Sequence, residues 1–112
     1  MTSRACFIGR WQTPKLHEGH TWLIDQALSK GKPVLILVRD CYDANDPKNP
    51  YLLIDVMRMI QVYYIHEDVV VRAIPDIESI NYGRDVGYAV IEHKPPEDIS
   101  KISATSLRHK RN

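Results

Sequence analysis

The sequence predicts an α/β fold: a single Rossmann-like, three-layer domain around a five-stranded parallel sheet in the order 3-2-1-4-5. Two observations carry this. Short apolar β-type runs alternate with amphipathic helical stretches, and that alternation builds parallel sheets through right-handed crossovers. The second run, residues 34–38, reads VLILV and is apolar throughout, as suits a strand buried on both faces. With 112 residues, the chain is expected to form one domain over residues 1–112.

The elements follow in order. Residues 5–9 (ACFIG) form the first strand, and a loop containing Pro14 follows. Trp22, Leu23, Ile24, Ala27 and Leu28 include the i, i+3, i+4 spacing of one helical face. Gly31 is placed to end that helix, with Lys30 and Lys32 beside it and Pro33 beyond. The second strand ends at Arg39-Asp40. The stretch DCYDANDPKNP, residues 40–50, reads as a loop. Asn49 followed by Pro50 is a helix-start signal, and Leu53, Val56, Met57, Ile60 and Tyr64 make the apolar stripe of that second helix. Residues 69–74 form the third strand, 79–82 a fourth and 88–91 a fifth. Pro95-Pro96 breaks the chain, and the last ten residues hold one short helix at most.

Composition narrows the function classes. An apolar fraction of 44% is ordinary for a globular protein, and a net charge of +1 gives no global reason to expect nucleic acid or an anionic membrane. Two cysteines, Cys6 and Cys41, form no metal-spaced cluster, as expected of a reduced, cytoplasmic protein. No run approaches the roughly 18 apolar residues of a membrane span, and MTSRACFIG lacks the apolar stretch of a secretory leader. A homo-oligomer, in the simplest case a dimer, is expected from the small size and from Tyr51, Leu52, Met59 and Tyr63 outside the main helical stripe.

Parallel sheets bind ligands beyond the carboxyl ends of their strands. That rule gathers residues 9–20, Arg39 with Asp40, and residues 83–85 at one edge. Within the first group, His17-Glu18-Gly19-His20 stands where strand hands over to helix. Amides that open a helix have no partner within it and, with the helix dipole, favour phosphate. Imidazole N–H groups there add donors, and Gly19 leaves room for a ligand to approach the backbone. The same histidines can instead be capping residues. A metal site fits less well, since HEGH is not HExxH and no third ligand is evident, so no protein metal ligands are expected. At the other end, Ser103, Thr105 and Ser106 with Arg108 form a second phosphate-type group.

Taken together, HEGH and Ile102-Ser103-Ala104-Thr105-Ser106-Leu107-Arg108 resemble the HxGH and ISxTxxR motifs of the HxGH nucleotidylyltransferases, in the cytidylyltransferase-like superfamily. The resemblance covers nearly the whole chain. "GRWQ", residues 9–12, is similar to the GRFQP opening of archaeal-type nicotinamide-nucleotide adenylyltransferases, and "NPYLLIDVMRMI" resembles their NPFxxxER helix, with Arg58 matching and Asp55 where glutamate is usual. Two differences stand out. The loop between GRWQ and HEGH is two residues longer, and the segment after the fourth strand is cut to YGRDVGYAV.

The resemblance implies transfer of a nucleoside monophosphate, AMP or CMP, from ATP or CTP to a small phosphorylated acceptor, with release of pyrophosphate. By the same resemblance His17, His20 and Arg108 carry catalysis, with Mg²⁺ bridging the phosphates. Gly9, Arg10, Gln12, Lys15, Gly19, Gly83, Arg84, Asp85, Ser103 and Thr105 are the nucleotide-side candidates. Arg39, Lys48 and Arg58 are the candidates for the acceptor phosphate. The alternative is a nucleotide-binding module that has lost acceptor recognition, in line with the shortened segment.

Overall fold

The computed structural model describes residues 3–100. Its elements are β1 (Ala5–Gly9), α1 (Glu18–Leu28), β2 (Val34–Asp40), α2 (Leu53–Tyr63), β3 (Val69–Pro75) and the short α3 (Glu97–Ser100). The three strands form a parallel sheet in the order β1-β2-β3, with Phe7 level with Ile36 and Ile36 level with Val71. This matches the 3-2-1 half of the expected order.

Alternation along β2 locates the core. Val34, Ile36 and Val38 are buried, whereas Leu35 and Leu37 on the opposite face are half-buried. Ile24 and Ala27 of α1, and Val56, Ile60 and Tyr64 of α2, complete the buried cluster. Both helices therefore cover one face of the sheet. Full burial of a side chain such as Ile24, Ile36 or Ile60 contributes about 1.5–3 kcal/mol. The stripe expected on α2 is realised, with Leu53 and Met57 packed at its margin.

Two expectations are corrected. Among the described residues the sheet has three strands, not five, and two layers rather than three. Residues 79–82 and 88–91 are irregular, with Ile80, Tyr82, Tyr88, Val90 and Ile91 exposed. Both segments are exposed and join no ladder, and the connection between them turns through left-handed backbone at Asp85 (φ 54°) and Gly87 (φ 80°). The second helix also starts later than its Asn-Pro signal. Its N-cap is Leu52, which makes no side-chain cap bond, because the Asn49 carboxamide is committed elsewhere.

Gly31 ends the first helical stretch as expected, with φ 70°. β2 runs two residues past its apolar core because Arg39 and Asp40 pair with Ile74 and Pro75. Of the residues expected at an oligomer surface, Leu52 and Tyr63 are exposed, but Tyr51 and Met59 pack against the core. Among the described residues no helix is long and apolar enough to cross a membrane.

Candidate functional site

At the carboxyl end of β1 the chain folds back on itself. Trp11 takes a left-handed φ of 54° and is buried, and its Nε1–H donates to the Leu37 carbonyl at 3.1 Å. Gly9 makes this possible, since a Cβ there would stand 3.0 Å from the indole. Trp11, Gln12, Thr13 and Leu16 are all buried, so the loop from β1 to α1 is a packed wall rather than a free flap.

Gln12 joins that wall to the next loop. Its Nε2 donates to the Tyr51 carbonyl at 2.9 Å, and its Oε1 accepts from the Tyr51 N–H at 2.8 Å. Two residues back, Arg10 Nη1 donates to Asn49 Oδ1 at 3.2 Å, and the Cys41 thiol reaches the same oxygen at 3.3 Å. Asn49 Nδ2 in turn donates to Asp46 Oδ2 at 2.8 Å. Burial, with Asp76 adding to it, raises the Cys41 thiol above its usual range. Residues 10 and 12 thus hold residues 49 and 51 in register. The Gln12 carboxamide ties two loops together.

The histidine pair lies beside this wall. His17 is the N-cap of α1, and its Nδ1 accepts from the N–H of Gly19 at 3.0 Å and of His20 at 3.3 Å. Nδ1 therefore carries no proton in this arrangement, and the neutral ring holds its proton on Nε2. His20 stacks on His17, with ring centroids 3.7 Å apart and planes 16° apart, and has the Trp11 indole 5.1 Å away. His20 Nδ1 is buried without a partner among the described residues. Burial first, and the adjacent His17 second, hold His20 down to about 3; burial also lowers His17. Both rings are neutral near pH 7.

Gly19 is also needed by the cap itself. A Cβ there would sit 2.8 Å from His17 Cε1, so the glycine makes room for the capping ring. The cap also uses two of the helix-opening amides that were candidates for an anion. What the helix start presents instead is imidazole N–H.

Structure brings Gly9, Arg10, Gln12, Lys15, His17, Gly19 and His20 together around one loop, with Arg10 and Lys15 exposed. The acceptor candidates are scattered. Arg39 is engaged by Asp76, at 2.7 Å from Nη2 and 3.0 Å from Nε, and donates to the Ile77 carbonyl. Lys48 is exposed in the loop after β2, and Arg58 is exposed on α2. Gly83, Arg84 and Asp85 lie in the exposed irregular segment, and among the described residues no hydrogen bond or ion pair joins them to α1. Ser103, Thr105 and Arg108 lie outside the described residues.

Sequence reasoning missed Asn49 as a network centre, because Asn-Pro is an ordinary helix-start signal. It also missed His93, whose ring lies 6.5 Å from both Phe7 and Trp22. Nothing in its local sequence points to that neighbourhood. No family model, curated protein or solved structure matches the chain.

Proposed function

We propose that this protein is a nucleotidylyltransferase that moves a nucleoside monophosphate, AMP in preference to CMP, from a nucleoside triphosphate to a small phosphorylated acceptor. The observation that carries the reading is the stacked His17–His20 pair at the start of α1, beyond the carboxyl end of β1. That is where a parallel sheet binds ligands. The spacing is that of the HxGH motif, and the GRWQ resemblance favours ATP over CTP.

In this mechanism the acceptor phosphate attacks the α-phosphorus in line, the bond to the leaving oxygen breaks, and pyrophosphate departs. His17 donates Nε2–H to triphosphate oxygens, and His20 adds a second imidazole as charge develops. Donors fixed in advance of the reaction act where charge accumulates, and the packed loop fixes them. The N-cap bonds and the ring stack set the orientation of both histidines. Mg²⁺ carried on the triphosphate would neutralise phosphate charge, held by the phosphates and its own waters, as is usual for this ion. Thr105 and Arg108 take the β- and γ-phosphates in this reading, by the motif resemblance alone.

The second reading, a nucleotide-binding module without transfer activity, is favoured by one observation: Arg39 is already neutralised by Asp76. Pyrophosphate release, measured with ATP and with CTP against a panel of phosphorylated acceptors, separates the two. Acceptor-dependent release supports transfer. Nucleotide binding with no release for any acceptor supports the module.

A further inference from the structure

We propose that His17 and His20 serve the site as neutral N–H donors and never as imidazolium cations, so that the site selects fully ionised phosphate. This rests on the nucleotide-site reading above and specifies which form of the ligand that site takes.

The geometry at His17 leaves no place for a second proton. Its Nδ1 lone pair points at two backbone N–H groups, from Gly19 at 3.0 Å and His20 at 3.3 Å. Protonation would turn an acceptor into a donor facing two donors, and both cap bonds would be lost. At His20 the stack on His17, with centroids 3.7 Å apart, sets any two positive charges face to face. Nδ1 of His20 is buried with no acceptor in reach, so a proton placed there would be orphaned as well.

The charged groups on the surrounding elements do not alter this. From the loop come Arg10, which donates to Asn49, and Lys15, which is exposed. Glu18 opens α1, while Arg39 and Asp40 end β2, where Arg39 is held by Asp76. The short α3, packed against α1, adds Glu97 and Asp98. Among the described residues Arg10, Lys15, Glu18, Arg39 and Asp40 form no hydrogen bond or ion pair with either imidazole, and the influences on His20 are its own burial and His17.

A donor-only pair has a consequence for the ligand. A phosphate monoester group ionises a second time near pH 6. Its monoanion carries a P–OH that needs an acceptor, but the acceptor nitrogens of the pair are withdrawn: Nδ1 of His17 is taken by the cap and Nδ1 of His20 is buried. The dianion has no P–OH, so its oxygens only accept, which is what N–H donors require. Affinity should therefore follow the ionisation of the ligand, the opposite of a site built on imidazolium.

The test has two arms. The first is the ¹⁵N spectrum of the free full-length protein, which reports the tautomer and titration of His17. We expect the neutral Nε2–H tautomer at pH 7, persisting below pH 5.5. A proton on Nδ1, or a midpoint at or above the ordinary value of about 6.5, would overturn the proposal.

The second arm is binding of sulfate and of ATP between pH 5.5 and 7.5. Sulfate keeps its charge over this range, so its affinity should stay constant within about twofold, while that of ATP should rise about fourfold as its terminal phosphate ionises. A roughly tenfold fall for either anion, as an imidazolium site would give, overturns the proposal. His17→Asn should retain an N-cap and the folded state yet weaken ATP about tenfold, as loss of one donor bond to a charged group does. Unchanged ATP affinity in that variant would also overturn the proposal. A free protein with His17 in the Nε2–H form that binds neither anion would support the neutral state and remove the nucleotide reading.

Discussion

The Gln12 carboxamide brackets the Tyr51 peptide group on both sides, donating to its carbonyl at 2.9 Å and accepting from its N–H at 2.8 Å. A buried side chain thus replaces a stretch of sheet ladder between two loops. Gln12→Ala leaves both Tyr51 groups without that partner in a half-buried position. We expect a loss of about 2 kcal/mol in urea unfolding, with the Tyr51 amide exchanging faster than in the wild type. Wild-type stability and unchanged exchange at Tyr51 would show that the bond pair is not a constraint.

Gly19→Ala sets two effects against each other. Alanine in a helix gains about 1 kcal/mol over glycine, while displacement of the His17 ring forfeits a cap of about the same size. The new Cβ cannot coexist with the ring as placed, at 2.8 Å. Stability should change by less than about 1 kcal/mol, while ATP affinity drops because His17 no longer presents its N–H. Unfolding midpoint and nucleotide titration, measured on the same sample, check both halves.

Tyr64 carries a buried hydroxyl with no partner among the described residues, and burial, with nearby Asp25 next, pushes its phenol well above the usual range. Removing an unsatisfied polar atom from a packed core is favourable. Tyr64→Phe should stabilise the protein by about 1 kcal/mol, seen as a higher urea midpoint with an unchanged slope. A lower midpoint would mean that the hydroxyl has a partner in solution.

Acid should weaken the fold through His20. Its folded value of about 3 lies below the unfolded value near 6.5, so between these limits the unfolded chain binds more protons. Stability is then full above about pH 6.5 and declines as pH falls, by on the order of 2 kcal/mol between pH 7 and pH 5. His20→Phe keeps a ring in the stack and removes the titrating group. Its stability should be flatter over that interval, as followed by urea unfolding at several pH values.

Much of the architecture was legible because it rests on local pattern. The VLILV run, the α2 stripe from Leu53 to Tyr64 and the stop at Gly31 each depend on neighbours in sequence. What was not legible depends on distant partners. Asn49 reads as a cap by its place before Pro50, but Arg10, Cys41 and Asp46 claim its carboxamide. The bonds from Gln12 to Tyr51 likewise join residues far apart in sequence, which no local pattern announces. The strands expected at residues 79–82 and 88–91 have β-type residues but are separated by left-handed backbone at Asp85 and Gly87. At the histidines, phosphate donor and helix cap were alternatives in the sequence. In the structure His17 is the cap, through Nδ1, which leaves its Nε2–H outside the cap bonds.

Following the α-phosphorus tests the nucleotidyl-transfer reading most directly. The wild type and a folded His20→Phe variant are incubated with ATP labelled at the α-phosphate and with each member of a panel of phosphorylated acceptors. Label is then sought in a product joined to the acceptor, and the pyrophosphate released should be unlabelled. We predict such a product for at least one acceptor, formed on the order of 100-fold more slowly by the variant, the scale of losing a donor to developing charge. Equal rates in the two proteins, or no acceptor-linked label from the wild type with any acceptor, would contradict the proposed function.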